Sequence, residues 1–344
     1  MLRKVRWGVL GAAKIARTKV IPAMQRGTRA EIAAVASRNG ELARQAAGQL
    51  GIPKAYGSYE ELLADPDIDA IYNPLPNHLH VPWSIRAAEK GKHVLCEKPV
   101  ALTAQEALTL IEARDRTGVK IGEAFMVRTH PLWLRVRELL RNGTIGDLRA
   151  VMSHFSYFNN DPQNIRNMLE IGGGALMDIG CYPVTMSRFL FDREPSRVVA
   201  VIERDPRMRI DRLTSALLDF SPGQASFVCG TQLVPSQGMQ IFGTSGRIEI
   251  EIPYNIPPDQ SSRILIDNGS VLGGRNARIE ELAAVDQYTI QGDLFSQAIQ
   301  ENTQVAVPLE NALANMAVID ALFRSANTGL WEQPVRSGLP RLKD

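Results

Sequence analysis

The sequence predicts an α/β protein in which a doubly wound parallel sheet is followed by an α+β domain with a large, mostly antiparallel open sheet. From Val5 to about Ala124, short apolar runs alternate with longer amphipathic segments, as in parallel strands joined by crossover helices. Beyond residue 125, strand-like stretches are separated by turn residues. We therefore expect a first domain over 1–124 and a second over 125–344, which suits a chain of 344 residues.

The first domain contains the clearest helix signal. Ala104–Arg116 is apolar on one face, with Thr103 as its N-cap and Gly118 just past its end. A second helix is expected at Trp83–Lys90. Strands are expected at Val5–Leu10, Glu31–Ala36, Ala70–Asn73, His93–Cys96 and Lys120–Ala124. Right-handed crossovers between such strands give a doubly wound sheet.

The second domain is predicted mainly from alternating strands. Arg247–Ile252 alternates isoleucines with charged residues, which is typical of a sheet with one buried face. Further strands are expected at Leu148–Phe158, Arg197–Ile202, Thr214–Phe220, Ala225–Cys229 and Met239–Gly243. Helices are expected at Leu132–Arg141, Thr289–Gln300 and Leu309–Ala326, and loops or short edge strands over Asn255–Gly274.

The composition excludes several classes of protein. Hydrophobic residues make up 44% of the chain and charged residues 22%, with a formal charge of +2, as in soluble globular proteins. No basic stripe points to nucleic acid, and no run of about 18 apolar residues would span a membrane. The three cysteines show no metal or disulfide pattern, so no metal is expected. Without a signal peptide, cytoplasmic residence is the expectation.

A dinucleotide-binding turn is predicted directly after the first strand. Gly8 to Ala16 opens a helix in the context where a G-x-G-x-x-G turn holds a pyrophosphate, although only Gly11 occupies a glycine position and Ala13 and Ala16 replace the others. The amides of a helix starting near Lys14 favour a phosphate. The candidate cofactor-binding residues are Gly11, Ala12, Ala13, Lys14 and Ile15. The alternative is an ordinary strand-to-helix turn.

The end of the second strand indicates which dinucleotide binds. An NAD site normally has an acidic residue there for the ribose 2′-hydroxyl, whereas this chain has Ser37 and Arg38. A serine hydroxyl and a guanidinium suit a 2′-phosphate. We therefore expect NADP(H), the alternative being that Arg38 is a solvated surface arginine.

Three further residues carry the chemistry of an oxidoreductase. Lys98 follows a strand of the parallel sheet, at the edge where ligands bind. Asp178 and Tyr182 are four residues apart after a run of glycines, on one face if the segment is helical, although Gly180 and Pro183 weaken that helix. Such groups suit proton movement on an oxygen while a hydride is transferred to or from a nicotinamide. Singly, each also has an ordinary structural explanation.

These motifs, together with the segment from Pro74 to His80, resemble the Gfo/Idh/MocA oxidoreductases over nearly the whole chain. The resemblance implies a Rossmann domain and Lys98 beside the nicotinamide and the reacting carbon. It also implies that Asp178 orients the substrate and that Tyr182 exchanges the proton. The residues expected to line the cofactor cleft are Leu75, Asn77, His80 and Glu97.

Tyrosine at position 182, where many members have histidine, resembles the branch with glucose-fructose oxidoreductase, D-xylose dehydrogenase and dimeric dihydrodiol dehydrogenase. That branch implies Arg128, Asn164 and Arg166 near the substrate, a sugar or polyol such as xylose or glucose, and a dimer or tetramer formed through the second-domain sheet. A base near neutral pH needs a cation beside the phenol, which Lys98 can supply. Because only four residues precede Val5, we expect a dissociable cofactor.

Other functions remain open. The enzyme alternatives are reduction of a deoxysugar or dicarbonyl and oxidation of a cyclic trans-diol. The alternative of a different class is a sensor that binds NADP without turnover, although such a protein has no need of Lys98, Asp178 and Tyr182 together.

Overall fold

The computed structural model describes residues 3–335 and divides into two compact units. The first contains the described residues up to Thr129 and the later segment Asp286–Leu313. The second contains His130–Val285 and the described residues from Ala314 onward. The sequence predicted a single domain boundary after residue 124. In the structure the chain instead returns to the first unit near its end.

The first unit is built on a parallel sheet, as predicted, which has six strands in the described residues, one more than the five expected. Its strands are β1 (Val5–Leu10), β2 (Ala30–Ala36), β3 (Lys54–Tyr56), β4 (Ala70–Asn73), β5 (His93–Glu97) and β6 (Ile121–Ala124). Their order is β3-β2-β1-β4-β5-β6, and each neighbouring pair is parallel. This is the Rossmann strand order, in which the direction of winding reverses beside β1 and ligands bind at the carboxyl ends of the strands.

Helices are numbered along the whole chain. Those of the first unit are α1 (Ile21–Arg26), α2 (Gly40–Leu50), α3 (Tyr59–Ala64), α4 (His80–Glu89), α5 (Ala104–Thr117) and, after two helices of the second unit, α8 (Gln287–Gln300). Helix α5 begins and ends as predicted, because the Thr103 hydroxyl accepts from the Glu106 amide and Gly118 is left-handed, with φ 71°. Helix α4 begins at His80, earlier than the expected Trp83.

The returning segment belongs to the first unit because it completes its core. The indole of Trp7 on β1 donates to the Ser296 hydroxyl of α8 at 3.1 Å, and its ring lies 5.5 Å from that of Phe295. All three side chains are buried. Burying two aromatic rings against a strand stabilises this placement.

The second unit contains the predicted open sheet, with eight strands ordered β14-β13-β12-β11-β7-β10-β9-β8. Among the described strands of this sheet, β7 and β10 are the only neighbours that pair in parallel. The strands are β7 (Leu148–Phe158), β8 (Arg197–Arg204), β9 (Asp211–Asp219), β10 (Gln224–Gly230), β11 (Gln232–Gly243), β12 (Arg247–Ile250), β13 (Ser262–Asp267) and β14 (Arg278–Leu282). The helices are α6 (Pro131–Arg141), α7 (Cys181–Phe191) and α9 (Leu309–Thr328), which belongs to the second unit from Ala314 onward.

The two faces of this sheet differ. On β7, Val151 and Phe155 are buried and face the same side as Tyr157, whereas Met152 and His154 are exposed on the opposite side. The packing of α7 against β7 covers the first side. Within residues 3–335, no helix is both long and apolar enough to cross a lipid bilayer.

Candidate active site

The turn after β1, where a pyrophosphate is expected to bind, depends on a glycine. Gly11 has φ 82°, a left-handed conformation that favours glycine, and a Cβ there would lie 3.1 Å from the Leu75 side chain. Its amide donates to Ala36 of β2 at 2.7 Å, which fixes the turn against the sheet. Helical backbone begins at Lys14 and includes a π-helical turn over Ala16–Val20 before α1. This cradle fits a dinucleotide even though alanines replace two of the usual glycines.

The residues expected to select NADP follow β2. Arg38 is exposed, whereas Ser37 is buried and its hydroxyl accepts from the Asn39 amide at 3.2 Å. Burial raises the pKa of the neighbouring Tyr59 phenol, an effect that the positive charge of Arg38 opposes. A guanidinium that is exposed beside the turn can reach an anionic ligand.

His80 lies behind the loop that follows β4. Its Nε2 is 2.7 Å from the Leu75 carbonyl oxygen and its Nδ1 is 2.8 Å from the Pro99 carbonyl oxygen. The side chain is 1% exposed, and burial lowers its pKa to about 4. His80 therefore connects the loops after β4 and β5 through their backbones. Asn77 lies in the connection from β4 to α4, in the short 3-10 turn Asn77–Leu79.

Glu97 and Lys98 lie at the end of β5. The Tyr72 hydroxyl of β4 donates to Glu97 Oε1 at 2.5 Å, which ties the two strand ends together. Lys98 is half-buried. Because the strands are parallel, Gly11, Ser37, Leu75 and Lys98 all follow strands at the same edge of the sheet. Arg128, predicted near the substrate, follows β6 in the 3-10 turn Met126–Thr129.

In the second unit, Asp178 and Tyr182 lie at the start of one helical segment. The weakness predicted from Gly180 and Pro183 does not break it: Asp178 lies in a π-helical turn, Leu176–Gly180, that leads directly into α7 with Tyr182 in its first turn. Such π turns are frequent at functional sites.

Gly174, the last glycine before this segment, is required by a buried carboxylate. Gly174 has φ 122°, and any Cβ there would overlap Asp211 of β9. The Asp211 Oδ2 accepts from the Leu176 amide at 2.6 Å, so it fixes the start of the turn that carries Asp178. Burial raises the pKa of Asp211 to about 6.

Two donors hold the Asp178 carboxylate. The Tyr157 hydroxyl of β7 donates to its Oδ2 at 2.6 Å, and Arg166 Nε donates to the same oxygen at 3.0 Å. Burial and the Asp178 charge raise the pKa of Tyr157, so its phenol stays protonated as a donor. The Asp178 charge also raises the pKa of Arg166. A charge-assisted pair of donors fixes the orientation of the carboxylate.

Tyr182 is enclosed by aromatic rings and is 4% exposed. Its ring centroid lies 5.6 Å from that of Phe155 and 5.4 Å from that of Tyr254. The sequence reasoning did not identify Tyr157, Phe155 or Tyr254. Alternation along β7 indicates that Tyr157 and Phe155 share a face, but the contact with Asp178 depends on how α7 packs on the sheet.

Asn164, predicted near the substrate, uses its side chain to cap the 3-10 turn Ile165–Asn167.

The sequence matches two family descriptions. Residues 5–125 match "Oxidoreductase family, NAD-binding Rossmann fold" and residues 133–249 match "GFO/IDH/MocA C-terminal domain". The first range lies in the first unit and the second range lies in the second unit.

Similar proteins include characterised enzymes. An uncharacterized oxidoreductase, ORF334 of Rhizobium meliloti, is 49% identical over 95% of this chain and 98% of its own length. D-xylose 1-dehydrogenase (NADP(+)) 2 of Haloferax volcanii is 37% identical over 94% of this chain and 98% of its own length. The crystal structure of KijD10, a 3-ketoreductase from Actinomadura kijaniata in complex with NADP and TDP-benzene, is 28% identical in sequence, with a TM-score of 0.88. The match covers 94% of this chain and 98% of the KijD10 chain.

Proposed function

The chain belongs to the Gfo/Idh/MocA oxidoreductase family, and from this premise we propose that it interconverts a sugar hydroxyl and its carbonyl or lactone with NADP(H), an aldose such as xylose or glucose being the substrate. It is an NADP-dependent oxidoreductase acting on CH–OH groups. The observation that carries the finer proposal is the start of α7, where Tyr182 follows an Asp178 held by Tyr157 and Arg166.

The residues of the two units have separate tasks in this proposal. When bound, the nicotinamide accepts or supplies the hydride. Tyr182 takes the proton from the reacting hydroxyl in oxidation and returns it in reduction, as a general base and acid. Asp178 accepts a hydrogen bond from the substrate and orients it, and Lys98 provides positive charge. Arg128, Asn164 and Arg166 are proposed substrate contacts.

NADP(H) fits the first unit. The Gly11 turn supplies a cradle that a side chain would fill, and the amides from Ala12 to Ile15, at the start of the helical backbone, are proposed to bind a phosphate. Leu75, Asn77 and Glu97 are proposed to line the cleft, with His80 supporting it from behind.

Replacing Arg38 with alanine is expected to remove the preference for NADP over NAD. The guanidinium makes a charge-assisted contact with the 2′-phosphate, worth about 1.5–3 kcal/mol, so KM for NADP should rise about 10- to 100-fold with KM for NAD little changed. Steady-state kinetics with both cofactors measures this. Arg44→Ala on α2 is the matched control. Equal KM values for the two cofactors in the wild-type enzyme would contradict the assignment.

The proposed function is tested by a panel of aldoses with NADP. We expect absorbance of the reduced nicotinamide to appear with a pentose or hexose. A protein that binds NADP with a measurable Kd but reduces none of it with any saccharide or ketosugar, and oxidises no NADPH, would be the non-catalytic sensor instead.

A second candidate is reduction of a nucleotide-linked ketosugar. The similarity to KijD10, a 3-ketoreductase crystallised with TDP-benzene, favours it. Including a dTDP-linked ketosugar with NADPH in the panel distinguishes it from aldose oxidation.

We also propose that the chain self-associates through the open face of the second-unit sheet. Strand register places Met152, Leu217 and Val199 in one row across this face and Val228 and Val201 in the next. Val201 is 75% exposed, and covering such a surface is favourable. Cytoplasmic residence is likewise a proposal, supported by the three cysteines, which are buried and form no disulfide.

Leu217→Glu is expected to weaken this association by at least about tenfold, because it buries a charge in an apolar interface. Sedimentation velocity of the variant and of Leu42→Glu, an exposed leucine of α2, gives the comparison. A wild-type mass equal to one chain at micromolar concentration would exclude the dimer and the tetramer alike.

A further inference from the structure

Asp211, the first residue of β9, is a buried carboxylate that has no part in the proposed proton transfer. It is 1% exposed. Its Oδ2 accepts from the Leu176 amide at 2.6 Å and from the Thr214 hydroxyl at 3.3 Å. Burying a carboxylate costs free energy unless hydrogen bonds offset that cost. The bond to Leu176 connects this side chain to the segment that carries Asp178.

The Leu176 amide lies in the first turn of that helical segment. Helical backbone begins at Ala175, and the first amides of a helix have no acceptor within it. A carboxylate satisfies such an amide, and its negative charge is favourable at the positive end of a helix. In the same turn the Asp178 amide donates to the Gly174 carbonyl oxygen at 3.0 Å. The hydrogen bond to Asp211 therefore fixes the turn two residues before Asp178.

Arg166 is tied to the same point through its backbone. Its carbonyl oxygen accepts from the Gly174 amide at 2.8 Å. A Cβ at Gly173 would lie 2.6 Å from that oxygen, and a Cβ at Gly174 would overlap Asp211, so the two glycines fit between them. The Arg166 side chain then donates through Nε to Asp178 at 3.0 Å. Arg166, Gly174 and Asp178 thus form one closed set of hydrogen bonds that rests on Asp211.

We propose that Asp211 is a positioning residue for the substrate, an inference that rests on the proposed function. It acts through the Leu176 amide and Gly174 and does not touch the substrate. Its task is to hold Asp178 and Arg166 in the geometry in which they meet the reacting sugar. Loss of Asp211 therefore lowers turnover in protein that is still folded.

Two substitutions of Asp211 and a matched control test this role. Asp211→Ala removes the acceptor, whereas Asp211→Asn keeps one acceptor oxygen without the charge. The control is Asp205→Ala, because Asp205 is a second buried carboxylate, 8% exposed, that accepts from the amides of Arg207 and Met208 in the connection from β8 to β9. The measurement is kcat/KM for the best substrate of the panel, expressed per NADPH-binding site so that unfolded protein does not count.

We expect the alanine variant to lose at least about 30-fold in kcat/KM, the effect of leaving a buried donor without its acceptor. The asparagine variant should lose about 5- to 10-fold, because its oxygen restores part of the bond to Leu176. The control should stay within about threefold of the wild type. A residue that only stabilises the fold would lower the melting temperature and leave kcat/KM per binding site unchanged.

The outcomes separate this inference from the proposed function. A value per site within about threefold of the wild type in Asp211→Ala would overturn the positioning role, and so would an equal loss in the Asp205 control. If the alanine variant yields no folded protein, Asp211→Asn decides, and a value like that of the wild type would overturn the role. A wild-type enzyme that turns over a dTDP-linked ketosugar but no aldose would contradict the aldose proposal alone, and the same comparison is then made on that substrate. Absence of NADP(H) turnover with every substrate would overturn both.

Discussion

Phenylalanine in place of Tyr182 is expected to reduce kcat by about two to four orders of magnitude, the range for losing a general acid or base. The substitution removes one oxygen from a ring that is 4% exposed and packed between Phe155 and Tyr254, so the ring contacts and the fold are retained. Kd for NADP should stay within about twofold because the first unit is unaltered. Single-turnover kinetics and a fluorescence titration of NADPH measure the two quantities.

Tyr254→Phe is the matched control for this experiment. The two rings lie 5.4 Å apart in the same cluster, and both phenols lose the same atom. We expect the Tyr254 variant to keep most of its turnover. Turnover like that of the wild type in the Tyr182 variant would remove Tyr182 from the mechanism.

How far the sequence predicts the fold depends on how local each signal is. Alternation over Leu148–Phe158 locates β7 to the residue, and Thr103 and Gly118 predict both ends of α5. The strand β14 (Arg278–Leu282) escaped prediction because it is a short edge strand rich in charge, formed by pairing with β13. The return of the chain to the first unit depends on contacts such as Trp7 with Ser296, which no local pattern encodes.

The site residues were likewise predictable only where the sequence signal is local. Residue type and position identified Lys98, Asp178 and Tyr182 as candidates, because each stands in a recognisable motif. The residues that hold them are distant in sequence: Tyr157 is 21 residues from Asp178, and Asp211 is 35 residues from Leu176. Asp211 also gives the reason for Gly174, because a Cβ there would overlap its carboxylate.

Methionine in place of Lys98 is expected to lower kcat for aldose oxidation at pH 7 by at least about 100-fold, part of which should return as the pH is raised. An ordinary phenol ionises near pH 10, and a nearby cation favours its charged form and lowers that value. If Lys98 supplies this cation to Tyr182, its loss moves the ionisation that permits oxidation to higher pH, so the ascending limb of the kcat profile should shift up by about one unit or more.

The pH profile separates an electrostatic role for Lys98 from a structural one. A lysine that only supports the loop after β5 would lower kcat equally at every pH, with no movement of the ascending limb. Lys90→Met, an exposed lysine at the end of α4, removes the same charge at a distance from the strand edge and should leave the profile unchanged. An unshifted limb in the Lys98 variant would mean that Lys98 does not supply this cation to Tyr182.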